Sequence, residues 1–249
     1  MIKTICLLVL LCATSNAFAI CSINLRVVDY PPQYILEKDG TWSGLAVEAA
    51  ELLLRRAGCE VKYLPAPWKR TLMLTRDGIV DMMPYISMNT ERGEYMHFIG
   101  PLREEIMSLV VLEDSNYRID SLDDFKKLSM PIGAINGGFY GEIFKSKYET
   151  DGDFEKTINF FAEIKKNVLR LKLNRLSGFI LDKDDLKYSL KTDKDYKGLK
   201  LHSFTVHKNE VYFGFSKKTV SNELLSKLKT AFTEIQKEGG FEEIINSYY

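Results

Sequence analysis

The stretch DGIVDMMPYISMNTERGEYMHFIGPL, Asp77 to Leu102, decides how the chain is to be read. Its first part, IVDMMPYIS, is a short apolar run behind a glycine, the form of a strand buried on both faces. Its second part has the residues of a capped helical first turn, Asn89-Thr90-Glu91. A helix start carries partial positive charge and favours acids, yet Arg92 sits there. A strand thus runs into a turn bearing a cation that either pairs on the surface with Glu91 or Glu94 or waits for an incoming anion.

Working outward from this junction, the same alternation continues on both sides. Upstream, INLRVVD predicts a strand and GLAVEAAELLLRRAG a helix closed by Gly58. EVKYLP predicts a second strand and WKRTLMLTRDG a second helix, ending at Gly78. Downstream come the strand MSLVVLE and SLDDFKKL, which opens with a capping box of Ser121 and Asp124. The short strand PIGAI, the glycine turn NGGFYG and a helix to about Lys147 follow, then a loop around Thr150–Asp153. A helix rich in Leu and Lys, the strand SGFILD and the strand VYFGFS lead to a long amphipathic helix. Its core stripe is Leu224, Leu225, Leu228, Phe232 and Ile235, and Gly239-Gly240 stops it. Two successive alternating units of this kind predict an α/β fold, each unit a sheet flanked by helices. Ligands of such sheets sit beyond the carboxyl ends of the strands, so the turns DYPPQY, PAPWKR, PYISMNTER, NGGFYG and LDKDD are the places for a site.

Composition narrows the function classes. Lysine plus arginine total 34 and aspartate plus glutamate 34, a balance that argues against a nucleic-acid or membrane-surface role. Residues 1–19 combine Lys3, a short apolar run and Ala17-Phe18-Ala19, the pattern of a cleaved signal peptide, which predicts export to the periplasm. Cys6 and Cys12 leave with that signal, and Cys21 and Cys59 remain. Both stand immediately ahead of predicted strands, so parallel neighbouring strands would bring them together as a disulfide in an oxidising compartment. Two buried free thiols, or a lipidated Cys21 behind the bulky Ile20, are the alternatives. There is no HExxH, P-loop, Ser-His-Asp elbow or zinc spacing, and His97, His202 and His207 are scattered. No metal or cofactor is expected.

The motifs VVDYPPQYILEKDGTWSGLAVEAAELLLRRAG, PAPWKRTL, DGIVDMMPYISMNTERGEYMHFIGPL, SLDDFKKL, IGAINGG, RLSGFILD and KEGGFEEI, in that order, resemble the family 3 extracellular solute-binding proteins. The resemblance implies a type II periplasmic binding protein fold, in which two lobes joined by two hinge segments close on a small polar ligand. It places the first lobe at 20–104 and 211–249, the second at 105–210, and the crossings near Arg103–Ser108 and His202–Val211. It further implies a monomer that delivers a small carboxylate, most often an amino acid, to the membrane permease of an ABC-type importer, and that is not an enzyme.

Residue by residue, the resemblance assigns Arg92 to the ligand carboxylate. The chemistry supports this independently, because a guanidinium fork makes paired charge-assisted bonds to a carboxylate, with Ser87 beside it. Tyr30 and Trp68 match aromatic walls, and Tyr85 ends the third strand. Asp182 matches the acid that meets the ligand amine, and it is equally placed to cap the following helix. Gly137 would let backbone approach the ligand, while Gly138-Phe139 departs from the hydroxyl residue usual after this turn. Arg70 either faces the cleft, favouring a ligand with an extra negative group, or points outward. Two other classes stay open: an enzyme on the same fold, resembling cyclohexadienyl dehydratase with Asp29, Glu48 or Asp182 as acid, and a receptor that presents its ligand to a membrane sensor.

Overall fold

A computed structural model describes residues 21–249. The proposed signal peptide, 1–19, lies outside the described residues. The first part builds a parallel three-stranded sheet from β1 (Cys21–Val27), β4 (Cys59–Pro65) and β5 (Met82–Ser87). A small hairpin, β2 (Ile35–Leu36) with β3 (Trp42–Ser43), stands apart from it. The crossover helices are α1 (Leu45–Arg56) and α2 (Trp68–Asp77), the latter closed by Gly78 in the left-handed conformation expected of a C-terminal glycine. β5 is buried along its whole length, as its unbroken apolar run requires of a central strand. It leads into α3 (Thr90–Tyr95), whose first turn is capped by the Asn89 side chain accepting from the Arg92 amide.

From α3 the chain enters β6 (Met96–Leu112), a 17-residue strand that leaves the first lobe and enters the second. The second lobe contains β7 (Ile132–Ile135), β8 (Ile158–Phe161) and β9 (Gly178–Asp182), with β7 parallel to both of the others. Helices α4 (Glu142–Thr150), α5 (Gly152–Glu155), α6 (Ile164–Lys172) and α7 (Lys183–Thr192) flank it. The predicted capping box is present: Ser121 and Asp124 cap each other's backbone ahead of a 3₁₀ turn at Leu122–Lys127. The expected loop at 150–153 is instead a helix junction, because the Asp151 side chain accepts from the amides of Asp153 and Phe154 and starts α5.

The return strand β10 (Leu199–Ser216) pairs antiparallel with β6 along both lobes. The combined sheet therefore has the order β4-β1-β5-β10-β6-β9-β7-β8, with the long pair β6 and β10 shared by its halves. Their register slips between Leu201 and Thr205, between Thr205 and His207, and between Val211 and Phe213. Bulges bend and twist a ladder locally. Each half has its own core. In the first, Leu25, Leu53, Phe213 and Phe215 pack on α8 (Asn222–Glu238) and on Phe241 of α9 (Gly240–Tyr248). In the second, Phe125, Phe144 and Phe154 stack on one face of the sheet and Phe179 with Leu186 fills the other.

Cys21 and Cys59 are direct partners in the β1–β4 register and form a disulfide with Cα atoms 4.5 Å apart. The bond ties together two strand starts separated by 38 residues, which on the chain-entropy account stabilises the fold by about 4 kcal/mol.

Candidate functional site

The lobes meet over a cavity of about 740 Å³, the size range of small-molecule sites. Its walls are the segments that follow β1, β4, β5, β7, β8 and β9, together with the middle of β6. The carboxyl ends of the parallel strands therefore converge on it, as an open α/β sheet dictates.

One wall is cationic and aromatic. Arg92 is 4% exposed; its Nη1 donates to the Ser87 carbonyl at 2.7 Å and its Nη2 to the Gly137 carbonyl at 3.1 Å. The second bond crosses from the first lobe to the second. The Trp68 indole N–H donates to the same Gly137 oxygen at 2.9 Å. Gly137 has a positive φ of 82°, and a Cβ there would press on Leu72 and on the Lys69 backbone of α2. A side chain at this position would be strained and would hold the lobes apart. The Arg92 guanidinium lies over the rings of Trp68 and Phe139, with its carbon 5.7 and 5.9 Å from their centroids. Burial pushes its pKa down, against the pull of Tyr95 and Glu105.

Arg26 stands on the same wall, 3% exposed, next to the carboxyl end of β1. Its carbon is 4.7 Å from the Tyr34 centroid and 5.1 Å from that of Trp68. Its Nε makes a long 3.4 Å bond to the Ala66 carbonyl.

The opposite wall is acidic. Asp182 is buried, and its Oδ1 accepts from the amides of Asp184 and Asp185 while its Oδ2 accepts from the Ile106 amide and from Arg103 Nη1 at 3.3 Å. The capping alternative is thus the one realised, and both oxygens are committed to protein donors. Asp185, one helical turn on, accepts from the Tyr30 hydroxyl at 2.6 Å, the Gln33 amide at 2.8 Å and the Tyr249 hydroxyl at 3.0 Å. Tyr30 and Gln33 belong to the first lobe, so this acid is a second cross-lobe contact. Burial and the neighbouring Asp182 push its pKa up to about 6, against the pull of Arg103. Glu105, on β6, faces the cavity, where the Ser87 hydroxyl contacts it at 3.4 Å, and burial with Asp182 nearby pushes its pKa up to about 7, against the pull of Arg103 and Asn209. Arg103 lies over the rings of Tyr85 and Tyr249 and is held above its ordinary pKa by these acids, although burial opposes it.

Three buried polar atoms on these walls have no hydrogen-bond partner among the described residues: the Tyr85 hydroxyl, Gln33 Oε1 and Arg103 Nε. Tyr85 also holds φ at 57°, an uncommon conformation for a residue with a side chain. Strain and unsatisfied polarity of this kind concentrate where a ligand is held.

Of the residues singled out in the sequence, Arg92, Asp182, Tyr30, Trp68, Ser87 and Tyr85 line the cavity, and Gly137 supplies its carbonyl to two of them. Phe139 lines it too, where the hydroxyl residue was missing. Arg70 does not: it is exposed on α2, away from the cavity wall. The reason is helical phase, since Trp68 faces inward and a residue two positions on points about 200° round the helix. Sequence reasoning passed over Arg26, Arg103, Glu105 and Asp185. Only Arg26 had a visible signal, a charge inside an otherwise buried strand.

Two α/β lobes that share one antiparallel strand pair and meet over a polar cavity define the type II periplasmic binding protein fold. The chain belongs to the bacterial extracellular solute-binding proteins, family 3, whose profile matches residues 26–249. It is 23% identical over 223 residues to the Bacillus subtilis (strain 168) protein named "Probable amino-acid-binding protein YxeM", covering 88% of this chain and 80% of that one. In structure it is similar to an ancestral arginine-binding protein bound to arginine, with a TM-score of 0.78 and 20% identity over 92% of this chain and 98% of that one. It is also similar to the ancestral amino acid-binding protein AncCDT-1, a precursor of cyclohexadienyl dehydratase, with a TM-score of 0.74 and 17% identity over 92% and 95%. At these identities the structural likeness is one of fold.

Proposed function

We propose that this protein captures a small carboxylate, an amino acid or a similar polar molecule, between its lobes and delivers it to the membrane permease of an ABC-type importer, working as an exported monomer without chemistry. The observation that carries the reading is Arg92. It is buried in the cavity wall, cross-linked to both lobes, and its hydrogen-bond partners are main-chain carbonyls rather than a carboxylate. A buried charge without a counter-ion is costly, so a site that keeps one is built for an anion.

Trp68, Phe139, Tyr30 and Tyr85 would cover the ligand's apolar atoms, with Ser87 and Gly137 setting the guanidinium's direction. A ligand amine would meet Glu105, because Asp182 is spent on its cap and on Arg103. Lobe boundaries at 20–104, 105–210 and 211–249 fit the shared strands, whose register slips cluster at the crossings. Closure on a ligand follows from contacts that the ligand makes with both lobes at once, beside the bonds of Arg92 and Trp68 to Gly137 and of Asp185 to Tyr30 and Gln33 that already span them.

The test is mass spectrometry of small molecules released from the purified protein on denaturation, followed by calorimetric titration of what is found. Arg92→Ala abolishes binding with folding intact; retained affinity refutes the role. Incubation with prephenate or arogenate leaves both unchanged if the site only binds, and product formation would move the protein to the enzymes of this fold.

A further inference from the structure

We infer that Arg26 is a second anion-recognising group, and that the ligand class is therefore a small molecule with two carboxylates, held by Arg92 at one and Arg26 at the other. The inference rests on the carboxylate reading of Arg92 and extends it to the rest of the ligand.

The argument begins with charge. Three arginines line the cavity and are largely shielded from solvent. Arg103 is neutralised by Asp182 at 3.3 Å. Arg26 has no carboxylate within ion-pair reach among the described residues; burial pushes its pKa down, and only the hydroxyls of Tyr34, which it also meets as a hydrogen-bond partner, and of Tyr30 pull the other way. Its one main-chain contact is at the outer limit of a hydrogen bond. The faces of Tyr34 and Trp68 hold the guanidinium in place, but a ring quadrupole attracts a cation without cancelling its charge. Arg26 and Arg92 thus address the same indole, whose orientation is locked by its bond to Gly137.

Of the acids across the cavity, Glu105 pulls on Arg92 from a distance, and among the described residues none lies within ion-pair reach of Arg92 or Arg26. Both oxygens of Asp182 and both of Asp185 already accept from protein donors. Two buried guanidinium groups therefore remain for a ligand to neutralise. The extra positive charge that the sequence suggested at Arg70 is supplied by Arg26 instead, from a strand rather than a helix. A cavity so arranged selects against a ligand whose distal end is cationic, and a neutral distal end would leave Arg26 unpaired.

Acid and amide pairs isolate this charge, because each pair differs by one ionised group at nearly constant shape. In calorimetric titrations the wild-type protein prefers L-glutamate to L-glutamine, or L-aspartate to L-asparagine, by about 10- to 100-fold, the range of a charge-assisted bond. Arg26→Met, which keeps the stem between Tyr34 and Trp68, brings that ratio to within about threefold by weakening the acid more than the amide. Arg92→Ala removes binding of both members. Equal affinity or an amide preference in the wild type overturns the inference and leaves the carboxylate reading standing, as does an acid preference that survives Arg26→Met. Binding of neither member of either pair overturns both. A ligand-free readout stands beside these: without its unpaired charge, Arg26→Met melts at or above the wild-type temperature, and Arg26→Gln does the same. A fall of more than about 5 °C in both variants would make Arg26 a structural residue and sink the proposal.

Discussion

Replacing Arg103 by methionine isolates what the acidic wall contributes to stability. Arg103 and Asp182 have side-chain exposures of 9% and 3%, so the pair is effectively buried. Its guanidinium also lowers the pKa of Asp185 and of Glu105. Methionine keeps the apolar stem against Tyr85 and Tyr249 but leaves three carboxylates facing one another. Breaking a buried pair by removing one partner costs about 3–5 kcal/mol. For a chain of this size that is a fall of roughly 10 °C in melting temperature at neutral pH.

The cost has to shrink in acid. With folded-state pKa values already at about 6 and about 7 while Arg103 is present, Asp185 and Glu105 are protonated at pH 5. The amides of Ile106, Asp184 and Asp185 still bond Asp182. The penalty at pH 5 falls to about 1–2 kcal/mol. Urea denaturation of wild type and Arg103→Met at pH 7.5 and pH 5 measures both values. A penalty under about 1 kcal/mol at pH 7.5, or one that does not change with pH, would refute the account of a shared counter-ion.

Other consequences are more local. Glu105 and Asp185 have folded pKa values above those of the free side chains, so their contribution to stability is full below about pH 4 and is lost as pH rises through 6 and 7. Glu105→Gln removes its share, and denaturation between pH 4.5 and 8 shows a flatter profile than wild type; an unchanged slope would contradict the assignment. Reduction of the Cys21–Cys59 bond, or Cys59→Ala with Cys21→Ala, costs about 4 kcal/mol in urea denaturation, and a loss under about 1 would show the strands need no tether. Tyr85→Phe deletes a buried hydroxyl without a partner, so the free protein holds or gains up to about 1 kcal/mol while the ligand found by mass spectrometry binds more weakly. A loss of stability with unchanged affinity would reverse that reading.

What was legible in the sequence is what short-range physics encodes. The Asn89 cap, the Ser121–Asp124 capping box and the glycines at 78 and 239 are visible because each cap is made by residues within a few positions of one another. Apolar period assigned β1, β5, β9 and α8, and the strand starts correctly paired Cys21 with Cys59. Four-residue β8 was missed because INFF is too short to show a period, and α5 because the chain turns on a single Asp151 cap. The lengths of β6 and β10 were hidden, since charged and polar residues, Arg103-Glu104-Glu105 in one and His207-Lys208-Asn209-Glu210 in the other, interrupt each apolar run.

The sequence by itself determined a two-lobed α/β chain with a cation at the end of a buried strand. Tertiary structure alone decided which charges answer each other. Arg103 reaches Asp182 across 79 positions and Tyr30 reaches Asp185 across 155, distances over which no local pattern carries information. It also turned Arg70 out and Arg26 in, because helical phase and strand register are set by packing partners. Pairing in a closed cleft is a property of two surfaces brought together, and a linear chain shows only one of them at a time.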